Sequence, residues 1–113
     1  MFSGLTQAQS DRLAALIEKA DARLSKRAGY KISDISRNAE LLAKDRVEVG
    51  WREACGCTDY TAHVYAEWLK VIAMLKKFGV KITEERQKHG NRYATNAGGF
   101  WNSIVYKLDG GGQ

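Results

Sequence analysis

Between Leu75 and Leu108 the chain passes through a helix end, a glycine, a basic stretch, a polar tip and an apolar return. Lys76-Lys77-Phe78-Gly79 has the form of a helix terminus, with cations in the last turn and a glycine to follow. Val80 and Ile82 then alternate with Lys81 and Thr83 at the two-residue period of a strand. Gly90-Asn91 is a turn signal, and Phe100 to Tyr106 is rich in the aromatic and β-branched residues that favour strands. This order constrains the second half of the chain to a helix followed by two antiparallel strands. One alternative stays open: Thr83-Glu84-Glu85 can start a helix, and Trp101, Ile104, Val105 and Leu108 also recur at helical spacing.

Upstream, the pattern is helical throughout. Thr6 and Gln9 stand three apart, as the two halves of a capping box do, ahead of Leu13, Leu16, Ile17, Ala20 and Leu24 at helical spacing. Lys26 and Arg27 complement the end of this first helix and Gly29 terminates it. A second helix is expected from Ser33 or Asp34. Its stripe of Ile35, Ala39, Leu42, Ala43, Val47, Gly50, Trp51 and Ala54 runs to Cys55-Gly56-Cys57, with a kink or break at Gly50. A third helix should begin near Thr58 or Thr61. Ala62, Tyr65, Trp68, Leu69, Ile72 and Leu75 form its apolar face, and it stops at Gly79. The fold class expected is mainly α (α+β): three main helices in a small bundle followed by a C-terminal β-hairpin. Residues 1–108 form a single globular domain and residues 109–113 a flexible tail.

A chain of 113 residues suffices for one hydrophobic core without metal or disulfide staples. The longest apolar run, Val71 to Leu75, is far short of a membrane span, and no signal-peptide core follows Met1-Phe2-Ser3-Gly4. A cytoplasmic location with reduced thiols and no membrane partner is therefore expected. The formal net charge of +5 is unevenly placed. Residues 1–40 hold seven Lys/Arg against five acids, residues 41–60 three against four, and residues 61–113 eight against four. A localised basic surplus suits a polyanionic partner, although it also serves solubility alone.

Two stretches carry the candidate contacts. Residues 76–92 contain Lys76, Lys77, Lys81, Arg86, Lys88 and Arg92, opposed only by Glu84 and Glu85. Cations around a turn at Asn91 can follow a phosphate backbone and enter a groove. The other is the start of the third helix, Thr58, Tyr60, Thr61 and His63. Residues 51–108 resemble a winged helix-turn-helix DNA-binding domain. Trp51 through Leu69 can be laid on that motif's second and third helices, with Gly56 as the turn glycine and residues 80–108 as the wing. Arg52 departs from the pattern, which usually has a small residue four positions before the turn. The resemblance implies nucleic acid, double-stranded DNA in particular, as partner. Its contacts would be Thr58, Tyr60, Thr61, His63, Lys81, Arg86, Lys88, Asn91 and Arg92.

No enzymatic chemistry is expected. Glu84, Glu85 and His89 lie close in sequence without a nucleophile and its orienting partner, and Gly98-Gly99 precedes an aromatic rather than Lys-Ser/Thr. Cys55, Cys57, His63 and His89 have the wrong spacing for a structural zinc site, so neither metal nor cofactor is expected. The competing expectation is a protein-binding inhibitor or adaptor that presents its cations to an acidic protein surface. Bacteriophage or plasmid proteins that block a host enzyme or a CRISPR complex act in this way. An aromatic left outside the core, such as Tyr30, Tyr93 or Phe100, would mark its contact surface.

Overall fold

The first helix is capped by its own sequence. In the computed structural model, which describes residues 2–53, 60–87 and 100–109 (backbone alone at 53, 100 and 101), α1 spans Gln7–Ala28. The Gln9 amide donates to Thr6 Oγ1 at 3.1 Å and the Thr6 amide to Gln9 Oε1 at 3.0 Å, so two orphan donors are satisfied reciprocally. Gly29 closes the helix at φ 81°, a left-handed conformation that a side chain would strain. Leu13, Ile17, Ala20 and Leu24 form the buried stripe, as their spacing predicts.

The second helix, α2 (Asp34–Lys44), is capped by α1 instead. Ser33 occupies the N-cap position, yet its side chain makes no capping bond. Asp21 reaches across from α1. Its Oδ1 accepts from the Ile35 amide at 2.9 Å, and its Oδ2 accepts from the Ser36 amide at 3.1 Å and the Ser36 hydroxyl at 2.7 Å. One turn later Ser25 Oγ accepts from the Ile32 amide at 2.7 Å and pins the connecting loop. A negative side chain at a helix N-terminus also complements the macrodipole. The α1–α2 corner is thus built from two side chains on one edge of α1.

The expectation for residues 45–54 is corrected by the structure. α2 stops at Lys44, and residues Arg46–Glu53 form a strand, β1. Val47 and Trp51 stand four apart and fit either period. The deciding residue is Val49, which is buried beside them while Arg46 and Glu48 are exposed. Two β-branched residues and a glycine in five positions also disfavour continued helix.

The third helix, α3, spans Tyr60–Lys77 and ends at Gly79, whose φ is 89°. Its buried apolar face is Val64, Trp68, Val71, Ile72 and Leu75. Leu69, expected inside, is exposed, and Tyr65 is only half-buried, because the stripe is centred on Val64, Trp68, Val71 and Leu75. After the turn come β2 (Ile82–Gln87) and β3 (Phe100–Leu108). The helical alternative for these residues is thereby set aside.

The three strands form one antiparallel sheet in the order β1-β3-β2. Val49 pairs with Ile104 and Glu84 with Tyr106. The fold is α+β, and the sheet contains a third strand that the sequence reading had assigned to the second helix. α2 and α3 lie against one face, where Trp68 is fully buried and meets Tyr106 edge-on at 5.8 Å between centroids. Nearer the sheet margin Trp51 stacks on Tyr65 at 3.9 Å. The Asp109 amide donates to the Lys81 carbonyl at 2.9 Å, one residue past the expected domain end. Residues 110–113 and the Gly90-Asn91 turn lie outside the described residues. No helix among the described residues is long and apolar enough to cross a membrane.

Replacing Asp21 by Ala leaves two amides and a hydroxyl without their acceptor. The expected loss is about 2–3 kcal/mol in urea unfolding, more than an ordinary cap. A loss below about 0.5 kcal/mol, the scale of a neutral surface change, would show that solvent replaces the carboxylate. Trp68→Ala empties the centre of the core and should cost about 3–5 kcal/mol by the same measurement.

Candidate functional site: a basic groove between two helices

A helix places residues i, i+3 and i+4 on one face. Arg23, Lys26 and Arg27 have that spacing near the end of α1, and His63, Ala66, Glu67 and Lys70 have it on α3. The two helices run antiparallel. Arg12 near the start of α1 lies over the Phe78 ring, 5.6 Å from its centroid, while Arg23 near its end meets Glu67. The two faces therefore confront one another. They enclose a groove of about 420 Å³, floored by Leu24 and Ala66.

Glu67 organises this groove. It is 8% exposed, and both carboxylate oxygens are engaged. Arg23 Nε donates to Oε2 at 2.6 Å and Arg23 Nη2 to Oε1 at 2.9 Å. Lys70 Nζ lies 3.0 Å from Oε1. The Arg23 hydrogen bonds hold the Glu67 carboxyl down to about 2, with Lys70 adding to them, while burial opposes the shift. The same pairing raises Arg23 above its ordinary range. A buried carboxylate is retained here because two cations and a bidentate geometry satisfy it.

Lys26 and Arg27 take no acidic partner among the described residues. The groove therefore carries four Lys/Arg cations against one carboxylate, a surplus of three charges from these residues. The far face of the sheet differs. There Arg46, Glu48, Thr83, Glu85 and Lys107 mix both signs and make no single-sign field.

The contact residues expected from the sequence fall into four groups. His63 lines the groove. Tyr60 and Thr61 are half-buried and engaged inside the fold, whereas Arg86 is exposed on β2 with one of its donors engaged. Tyr60 donates its hydroxyl to Asp34 Oδ2 at 2.8 Å, and its phenol is pushed well above the ordinary range, by burial first and by Asp34 next. Thr61 Oγ1 accepts from the Arg52 amide at 2.9 Å, which ties the first turn of α3 to β1. Arg86 lies 5.9 Å from the centroid of the Trp51 ring and donates to Asn102 Oδ1 at 3.2 Å. Lys81 is exposed in the turn before β2. Thr58, Lys88, Asn91 and Arg92 lie outside the described residues, as do Cys55, Cys57 and His89. Among the described residues no three His, Cys, Asp or Glu side chains gather as a metal site.

Four groove residues were not anticipated from sequence: Arg23, Lys26, Arg27 and Lys70. Lys26 and Arg27 had been read as complements to the helix dipole, a role they fill as well. The available signal was the shared face of Arg23, Lys26 and Arg27. What it lacked was the knowledge that α3 presents Lys70 and His63 opposite. No family model, characterised protein or solved structure matches this chain.

The ion pair gives stability a definite pH dependence. The Glu67 carboxyl loses its proton near 4.5 when unexposed to partners, but near 2 in the fold. Between these values the unfolded chain binds more protons than the folded one, so stability is complete above the upper value and is lost as pH falls toward the lower. The loss should be on the order of 2–3 kcal/mol, discounted for solvent screening of the half-exposed cations. Urea unfolding across this range should show a shallower acid limb for Glu67→Gln than for the wild-type chain. Parallel limbs would mean that the pair adds nothing.

Proposed function

We propose that this protein is a small non-enzymatic binder of nucleic acid that holds the phosphate backbone of double-stranded DNA. The observation that carries the reading is the convergence of Arg23, Lys26, Arg27 and Lys70 from two helices on one groove whose acid, Glu67, is buried and already neutralised. Phosphate contacts require cations fixed on a surface that a backbone can follow, and they dominate non-specific affinity. His63 lies within the same groove, and Lys81 adds an exposed cation ahead of β2. Lys88, Asn91 and Arg92, in the segment joining β2 to β3, would extend the contact as a wing does. The likeness to a winged helix-turn-helix domain is supported by α3 followed by two paired antiparallel strands. Its helix at residue 51 is replaced by β1. With the Tyr60 hydroxyl donated to Asp34 and Thr61 Oγ1 accepting from the Arg52 amide, base-edge reading from the start of α3 loses one donor and one acceptor site, and backbone contact becomes the main source of affinity.

A second reading is favoured by one specific observation. Tyr30 is 65% exposed immediately beyond the Gly29 cap, at the same end of α1 as Arg27. An exposed tyrosine beside cations is also the composition of a protein-binding hot spot. In that reading the same surface engages an acidic protein, as an inhibitor or adaptor.

Fluorescence anisotropy with a labelled duplex at several salt concentrations separates the two. Each phosphate neutralised contributes about −0.9 to the slope of log affinity against log salt, so four groove contacts give about −3.6. Replacing Lys26 and Arg27 together by Ala should flatten the slope by about 1.8. No binding of the wild-type chain at low salt would overturn the nucleic-acid reading and leave the acidic protein surface as the partner.

A further inference from the structure

We infer that Arg23 is the direct phosphodiester ligand of the α1–α3 groove and that Glu67 is its positioning residue. This rests on the nucleic-acid reading above and assigns the roles within it. A guanidinium carries five N–H donors in one plane. Arg23 meets Glu67 side-on, through Nε at 2.6 Å and Nη2 at 2.9 Å. Two donors are spent in this way. Three remain: one on Nη1 and one on Nη2 form the end-on edge of the fork, and the second Nη1 hydrogen faces back toward Cδ. That edge is the one that matches two oxygens of a phosphate bidentately.

The burial of the two partners differs in the sense this requires. The Glu67 side chain is 11% exposed, whereas that of Arg23 is 48% exposed. The anchor therefore lies inside the fold and the fork stands at the groove wall. Fixing a long, rotamer-rich side chain before the ligand arrives removes an entropic cost that an unanchored surface arginine would meet on binding. Lys70 is held by the same carboxylate with one of its three donors. Lys26 and Arg27 are not held by any described acid, and they supply the long-range attraction.

The groove is also larger than a bare phosphate needs. Its 420 Å³ lies in the range of ligand clefts. The geometry points to the diester backbone of a nucleic acid rather than to free phosphate.

Positioning and simple charge make opposite predictions for one substitution. Glu67→Gln removes the only acid of the groove, so a point-charge account has DNA binding tighten. If Glu67 acts by aiming Arg23, binding weakens instead, by about tenfold for a lost charge-assisted bidentate contact. Anisotropy with a labelled duplex is measured for the wild-type chain, Glu67→Gln, Arg23→Lys, Arg23→Ala and the Arg23→Ala/Glu67→Gln double variant. Arg23→Lys keeps the charge and removes the fork, and should lose about as much as Glu67→Gln. In the Arg23→Ala background the sign should reverse: Glu67→Gln, having nothing left to aim, should tighten binding. A general structural role would not produce that reversal. Circular dichroism establishes that each variant is folded at the assay temperature. Should Glu67→Gln not fold, Arg23→Lys against wild type decides: equal affinities overturn the fork.

Competition identifies the ligand. Inorganic phosphate and polyglutamate at matched ionic strength should displace the duplex poorly. Equal displacement by either would overturn the assignment to a diester backbone. Tighter binding by Glu67→Gln in the wild-type background would overturn the positioning role while leaving DNA binding intact. Absence of duplex binding by the wild-type chain would remove the nucleic-acid reading itself, and this inference with it.

Discussion

The last described strand, β3, is the middle strand of the sheet, and the remaining structure is arranged around that constraint. β3 hydrogen-bonds to β1 on one side and to β2 on the other. Neither outer strand has a described partner besides β3, so the sheet forms only when the C-terminal residues arrive. α3 lies between β1 and β2 in sequence and must therefore cross the sheet's inner face to connect its two edges. Tyr106, near the end of β3, meets Trp68 from the centre of α3. That contact sets the depth at which α3 lies. Pairings of this kind are distant in sequence, and their closure entropy must be met before any of their contacts form.

With α3 held on the sheet, α1 becomes the element that joins everything else. Asp21 and Arg23 are two residues apart, so they point to nearly opposite sides of one helix. Asp21 turns toward α2 and caps it, while Arg23 turns toward α3 and pairs with Glu67. Ser25 and Gly29 then fix the loop that leads to α2. The groove is thus a product of packing: α1 is clamped on one side by a cap and on the other by an ion pair.

The local elements were largely legible in the sequence. The Thr6/Gln9 box, the Leu13–Ile17–Leu24 stripe and the stops at Gly29 and Gly79 depend on chemistry within a few residues, and each is found where that chemistry puts it. Residues 46–53 were read with the wrong period, because Val47 and Trp51 satisfy both periods and only a facing strand decides between them. Asp21 looked like one polar residue on a helix, and nothing in its neighbours shows that its partners lie fourteen residues away. The site was less legible still. Tyr60 and Thr61 look available in the sequence, yet the Tyr60 hydroxyl is donated to Asp34 and Thr61 Oγ1 accepts from the Arg52 amide.

By itself the sequence determined the first helix with both its caps, where the second and third helices begin, the stop at Gly79, and a basic surplus without catalytic or metal-binding spacing. These follow from periodicity, turn chemistry and charge, which act over one or two turns of chain. Only the tertiary structure decided that β1 exists, that β3 is central, and that α1 and α3 share one basic groove around Glu67. Each depends on which segment faces which. A helix face with Arg23, Lys26 and Arg27 is a solvated surface until a second helix brings a buried carboxylate and a further lysine against it.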